Sequence, residues 1–102
     1  ALAWRRGDPV GCLRLDRVQR ELRVRRLAVA RAQQRRGVGT TLMRWAESEA
    51  MRQGLRAVSA GVRLALPGNL RFYAGLGYLV VAEHAHTGYR EPTWVTVRKT
   101  LE

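Results

Sequence analysis

From Leu27 to Met43 an apolar run, a basic stretch and two closely spaced glycines follow one another without interruption: Leu27-Ala28-Val29-Ala30, then Arg31-Ala32-Gln33-Gln34-Arg35-Arg36, then Gly37-Val38-Gly39-Thr40-Thr41-Leu42-Met43. The order predicts the end of a strand, a loop and the first turn of a helix. Gly37 and Gly39 carry no side chain, so backbone there can approach a ligand closely. The first N–H groups of a helix have no partner within it, and the peptide dipoles make that end positive. Such a place binds phosphate. Arg31, Arg35 and Arg36 set full positive charges beside it. A polyanion such as a pyrophosphate is the expected ligand of this segment.

A length of 102 residues suits one domain, residues 1–102, with one modest core. With 46% hydrophobic and 26% charged residues, the chain reads as globular rather than disordered. Lys and Arg number 19 against 8 Asp and Glu, a formal charge of +11, and Lys99 is the single lysine. Such a surface attracts anions: nucleotide-like molecules, acidic substrates or nucleic acid. Cys12 is the only cysteine, so no intrachain disulfide can form. No run approaches a membrane span and nothing resembles a secretory signal, which makes the cytoplasm the default expectation. The sequence opens at Ala1 rather than Met, as in a processed chain or part of a longer one.

Residues 1–6 and 10–15 read as two strands of a hairpin around Gly7-Asp8-Pro9. Asp16 to Arg20 reads as a turn. Residues 21–30 alternate and then become continuously apolar, a strand with one wet face at its start and two covered faces at its end. The irregularity at Arg25-Arg26 is a candidate bulge. A helix follows from Val38 to Gln53, apolar on the side of Val38, Leu42, Met43, Trp45, Ala46 and Ala50, with Gly54 as its stop. Residues 55–62 return as a strand, and the strand–helix–strand order implies a parallel pair. Leu66-Pro67-Gly68 is a break. Asn69 can cap a short helix over 70–75. Residues 78–82 and 94–101 are strands flanking a loop over 84–92, expected to pair antiparallel. The fold class is therefore α/β, one mixed sheet with a long and a short helix.

Two stretches resemble the GNAT superfamily of N-acetyltransferases. Gln34-Arg35-Arg36-Gly37-Val38-Gly39 matches the family's Gln/Arg-x-x-Gly-x-Gly/Ala between strand and helix. Asn69-Leu70-Arg71-Phe72-Tyr73-Ala74-Gly75-Leu76-Gly77-Tyr78 matches Asn-x-x-x-Phe-Tyr-x-x-x-Gly-Phe, with Tyr78 in place of the final Phe. The resemblance covers essentially the whole chain, most strongly residues 22–83. Family domains usually open with a strand and one or two helices before the hairpin assigned to residues 1–15, and those elements are expected to be absent.

The resemblance implies the GNAT-like acyl-CoA N-acyltransferase fold, acetyl-coenzyme A as co-substrate, and direct attack by a primary amine, on a small molecule or a protein. Leu27, Ala28 and Val29 would supply a backbone N–H to the developing oxyanion. Arg31, Gln34, Arg35, Arg36, Gly37, Val38, Gly39 and Thr40 would hold the pyrophosphate, and Asn69 the pantetheine arm. Tyr73 is the candidate acid for the leaving thiolate; its other reading is a packing tyrosine. Phe72 reads as core. Many members carry a Glu base just before the phosphate loop. Arg25 stands at that position and cannot be a base near neutral pH. Glu21, four residues earlier on the same strand, is the substitute candidate through water, with His84 and His86 as further candidates. Cys12 reads as a small core residue, and no residue set has metal-ligand spacing.

Two further readings stand beside the enzyme. One is a coenzyme A-binding module without independent catalysis, suggested by Arg25 at the Glu position. The other, ranked last, is a nucleic-acid-binding protein, suggested by the charge but by no recognised motif. Arg25 and the net charge hint at an acceptor carrying a carboxylate or phosphate. Antiparallel strands at the C-terminal edge suggest a homodimer. No membrane association is expected.

Overall fold

The computed structural model describes residues 2–5, 8–29 and 37–101; over 2–5 and 8–10 the description is of backbone. Arg31, Gln34, Arg35 and Arg36 therefore lie outside the described residues, as does Ala30. In chain order the elements are β1 (Leu2–Arg5), β2 (Asp8–Val18), β3 (Glu21–Val29), α1 (Val38–Arg52), β4 (Ala57–Arg63), α2 (Pro67–Gly75), β5 (Leu79–His84) and β6 (Trp94–Thr100). The strands form one sheet in the order β1-β2-β3-β4-β6-β5. All neighbours are antiparallel except β3 and β4, which the α1 crossover makes parallel.

The core lies on one face of this sheet. Leu13, Leu22, Val24, Val58, Ala60, Val62, Val95 and Val97 point into it from the strands. Leu42, Met43, Ala46 and Ala50 of α1 and Tyr73 of α2 meet them from above, so both helices cover the same face. The opposite face of β3 and β4 is polar: Arg23 Nη1 donates to Ser59 Oγ at 3.4 Å, and Ser59 in turn donates to Glu21.

Several expectations shift. β2 runs on to Val18, so the turn before β3 shrinks to Gln19-Arg20, with Gln19 at φ 53°. The α1 stripe takes in Glu47 and leaves Trp45 out, 45% exposed. Buried positions 42, 43, 46, 47 and 50 follow the helical repeat, and the chain accommodates Glu47 on that stripe by pairing it. Tyr78 Oη donates to Glu47 at 2.9 Å, Lys99 Nζ at 3.0 Å and Arg44 Nη1 at 3.1 Å. α2 starts at Pro67, not Leu70: proline suits a first helical turn, where its missing N–H costs nothing. Asn69 is thus inside the helix and is not its cap. Cys12 is half-buried rather than core. His84 belongs to β5, and β6 is an inner strand between β4 and β5, so only β5 forms the C-terminal edge of the sheet.

The bulge falls where the sequence places it. Arg14 faces Arg26 and Leu15 faces Val24, which leaves Arg25 as the extra residue. β3 pairs with β4 only from Glu21↔Ala57 to Val24↔Ala60. Beyond Val24 the two parallel strands part. The far end of β3 is therefore half-buried rather than covered on both faces, because β4 no longer lies beside it. This parting positions the site.

Candidate active site

Two hollows occupy the gap. One, of about 470 Å³, is lined by Val24 to Leu27 on β3, Gly61 to Arg63 on β4, and Leu66, Asn69, Phe72 and Tyr73 on or before α2. The other, of about 580 Å³, is lined by Leu27, Val29, Gly37, Gly39, Thr40, Gly68, Asn69 and Phe72. Leu27, Asn69 and Phe72 line both, so the two hollows meet along β3 and α2. A third, of about 250 Å³, continues from Gly61, Val62 and Arg63 to His86 and Trp94.

The second hollow opens onto the start of α1. Gly37 sits at the N-cap with φ 81°, a left-handed conformation that glycine adopts without strain. Its carbonyl accepts from Thr41 N and from Thr41 Oγ1, both at 2.9 Å. Among the described residues no side chain caps the helix and its first turn has no acidic residue; Gly37, Gly39 and Thr40 line the hollow, so the positive end of α1 borders it. Gly39 serves by its size: a Cβ there would lie 3.3 Å from Phe72 Cζ and 3.7 Å from Val29 Cγ2. The missing side chain lets α1 approach β3 and α2 closely. Gly11 on β2 does the same further along, where a Cβ would meet Val38 at 3.0 Å and Leu42 at 3.1 Å.

Tyr73 is buried at the junction of α2 and the sheet, edge-on to Phe72 (5.1 Å between ring centroids) and to Tyr78 (5.5 Å). Its ring packs, yet its hydroxyl makes no hydrogen bond among the described residues, and Tyr73 lines the first hollow. Burial pushes its pKa up to about 12, so the group is a neutral O–H donor throughout ordinary pH. Phe72 packs on the core, as its sequence position suggests, and also walls both hollows. Leu27 and Val29 line the cleft where β3 has no β4 partner; Ala28, between them, alternates to the other side.

Glu21 stands elsewhere. It is three residues before the fork, about 10 Å along the strand, in a separate depression with Gln19, Arg20, Arg56 and Arg98. Its burial alone would raise its pKa. The hydrogen bonds from Ser59 and Arg98 and the charges of Arg98 and Arg23 outweigh that and hold it below the usual carboxylate range. A carboxylate so held is a weak base, and the structure does not bring it together with Tyr73. Arg25 pairs with Asp16 at 2.8 Å. His84 stacks on Trp94 and bonds Thr96, and His86 bonds Thr93. Arg63 is the lining residue with no motif to mark it; its one signal in the sequence is its place at the end of the strand after the crossover.

Comparison with known proteins agrees with this arrangement. The model of the acetyltransferase (GNAT) family matches residues 1–78. Ard1 from Thermoplasma volcanium superposes with a TM-score of 0.85 at 26% identity, over 95% of this chain and 66% of its own. A GNAT family acetyltransferase from Elizabethkingia anophelis, solved with acetyl-CoA bound, gives 0.84 at 18% identity, over 98% of this chain and 74% of its own. The ribosomal-protein-S18-alanine N-acetyltransferase from Escherichia coli gives 0.80 at 18%, over 95% of this chain and 64% of its own. The chain thus spans about two thirds to three quarters of the length of these proteins. With a matching family model over most of its length, the parted parallel strands and the uncapped glycine-flanked helix start, the chain belongs to the GNAT acetyltransferase family.

Proposed function

We propose that the protein transfers the acetyl group of acetyl-coenzyme A to a primary amine by direct attack. The observation that carries this reading is the continuous cleft between the uncapped start of α1 and the unbonded hydroxyl of Tyr73. Acetyl-coenzyme A supplies an activated thioester carbonyl. Gly37, Val38, Gly39 and Thr40 present backbone N–H groups to its pyrophosphate. Arg31, Gln34, Arg35 and Arg36 belong to the same proposal on the motif alone. Asn69, free of any capping role, turns its amide toward the pantetheine arm. A backbone N–H on the Leu27–Val29 stretch of β3, past the last β3–β4 pair at Val24, stabilises the oxyanion that forms as the amine attacks. Tyr73 donates its proton to the departing thiolate.

Among the described residues the lining of the Tyr73 hollow holds no carboxylate, and on this proposal deprotonation of the amine falls to solvent. The same observation favours the second reading, a coenzyme A-binding module that leaves catalysis to a partner. Calorimetric titration with acetyl-coenzyme A tests the first part. The parent chain binds, and the Gly37→Glu and Arg36→Glu variants do not. Absence of binding by a folded parent overturns the reading. Acetyl transfer by the parent alone, lost in Tyr73→Phe, separates the enzyme from the silent module. No described helix is long and apolar enough to cross a membrane.

A further inference from the structure

The hollow that receives the amine has an unusual electrical character. Of its lining residues among those described, Arg25, Arg26 and Arg63 are cationic and none is acidic. Arg25 is already neutralised by Asp16. Arg26 and Arg63 are exposed and pair with no carboxylate among the described residues. Arg63 also walls the adjoining hollow with His86 and Trp94, again without an acidic residue, so it stands between the two. Arg23 lies just behind: a Cβ on Gly61 would sit 3.4 Å from its Nη2 and 3.4 Å from the Trp94 ring. Gly61 keeps that corner open. Burial, then the charge of Arg25, lowers the pKa of Arg23 against the pull of Glu21.

On the reading that this cleft acetylates an amine, we propose that the acceptor is a primary amine carrying an anionic group a few bonds from its nitrogen, held by Arg63 and Arg26. A guanidinium binds a carboxylate through paired N–H donors, so the anion fixes the nitrogen's approach as well as its affinity. The same charges disfavour a second ammonium, so diamines are rejected. They also lower the proton affinity of the bound amine. That favours the free base needed for attack.

The test separates this inference from the functional reading. The protein is first saturated with coenzyme A, monitored by calorimetry; failure at that step defeats the functional reading itself. Three amines of one length are then titrated into the loaded protein: 4-aminobutyrate, butylamine and 1,4-diaminobutane. The expected order is 4-aminobutyrate tightest by about tenfold, one charge-assisted contact, and diaminobutane weakest. In Arg63→Glu the order reverses, and in Arg63→Lys the anionic amine recovers part of its lead. Equal affinities, no binding of any amine, or a preferred diamine unchanged by Arg63→Glu each overturn the proposal. A tetrapeptide beginning with two aspartates distinguishes sources: tighter binding than 4-aminobutyrate assigns the anion to a protein N-terminus, weaker binding to a small molecule, and both support an anionic acceptor.

Discussion

At its Gly37 end the cleft is walled by backbone and small groups: a left-handed glycine, the open first turn of α1, and Gly39 against Phe72. At its Arg63 end it is walled in part by long charged side chains, Arg25 and Arg26 at the β3 bulge and Arg63 at the end of β4. The two halves meet at Leu27, Asn69 and Phe72. The first half is tightly constrained, because Gly37 is left-handed and a Cβ at Gly39 would lie 3.3 Å from Phe72. The second half should tolerate many side chains without disturbing the fold, since Arg26 and Arg63 lie exposed and are not part of the core cluster. An invariant ligand part suits the first half, and a variable partner the second.

The sharpest way to break that contrast is Gly37→Glu beside Gly54→Glu. Both glycines have positive φ (81° and 73°) and open space where a Cβ would go, at opposite ends of α1. Both variants incur similar backbone strain, about 1–2 kcal/mol. Only Gly37→Glu places a carboxylate where the pyrophosphate is proposed to lie. Acetyl-coenzyme A affinity should fall by about 10³-fold in that variant, as several charge-assisted bonds are lost, and by little in Gly54→Glu. Calorimetry and a thermal melt on both variants decide the matter. Equal losses of affinity would mean that strain, and not charge at the helix start, governs binding.

Tyr73→Phe tests the junction between the halves. The hydroxyl makes no hydrogen bond among the described residues, so its removal should leave the melting temperature nearly unchanged. If it protonates the thiolate, kcat falls by about 10²-fold while KM for acetyl-coenzyme A holds. Because burial lifts its pKa to about 12, the parent rate should show no descending limb from this group below that pH. A stable variant with unchanged kcat would reduce Tyr73 to packing.

Much of this was legible in the sequence for a physical reason. The long helix, the parallel crossover and the Arg25 bulge are written in periodicity and its interruption, which backbone geometry reads directly. Gly37, Gly39 and Tyr73 carry constraints that no other residue type meets as well. What was hidden depended on partners distant in sequence. Glu47 looked like a solvent-facing helix residue, because Tyr78 and Lys99, which neutralise its burial, are 31 and 52 residues away. Asn69 resembles a cap because Leu66-Pro67-Gly68 has the composition of a break, whereas Pro67 is in fact the first helical residue. Glu21 looked like a base because strand periodicity puts it on the right face, whereas the pairing that ends at Val24 leaves it on the wrong side of the fork. Arg63 had no motif at all.

Glu47 bears on whether the rigid half depends on the remainder of the sheet. Its carboxylate joins α1 to Tyr78 ahead of β5 and to Lys99 on β6. Glu47→Leu keeps the bulk and strands a buried phenol and a half-buried ammonium. The expected cost is about 2–4 kcal/mol of folding stability, seen in chemical denaturation. The charge preference of the acceptor hollow should not change. A variant as stable as the parent would show that the three donors find water instead.

The smallest effect is expected at Glu21, and it separates a structural carboxylate from a chemical one. Hydrogen bonds from Ser59 and Arg98 tie Glu21 across β3, β4 and β6. Its pKa in the folded chain is held below 4.5, so the folded state binds its proton less readily than the unfolded chain does. The sign follows from linkage: above about pH 4.5 the stabilisation is present in full, and it is lost as pH falls through the folded-state value. Glu21→Gln should therefore lower the melting temperature by roughly a few degrees near neutral pH. The gap to the parent should narrow as the pH is taken down. On the proposed reaction the ascending limb of the rate against pH belongs to the amine, so it should stay where the parent has it. A Glu21→Gln variant that folds normally but loses that limb would put a base back at the start of β3. The acceptor would then have to reach past the Arg25 bulge, and the division of the cleft into a backbone half and a side-chain half would need a third part.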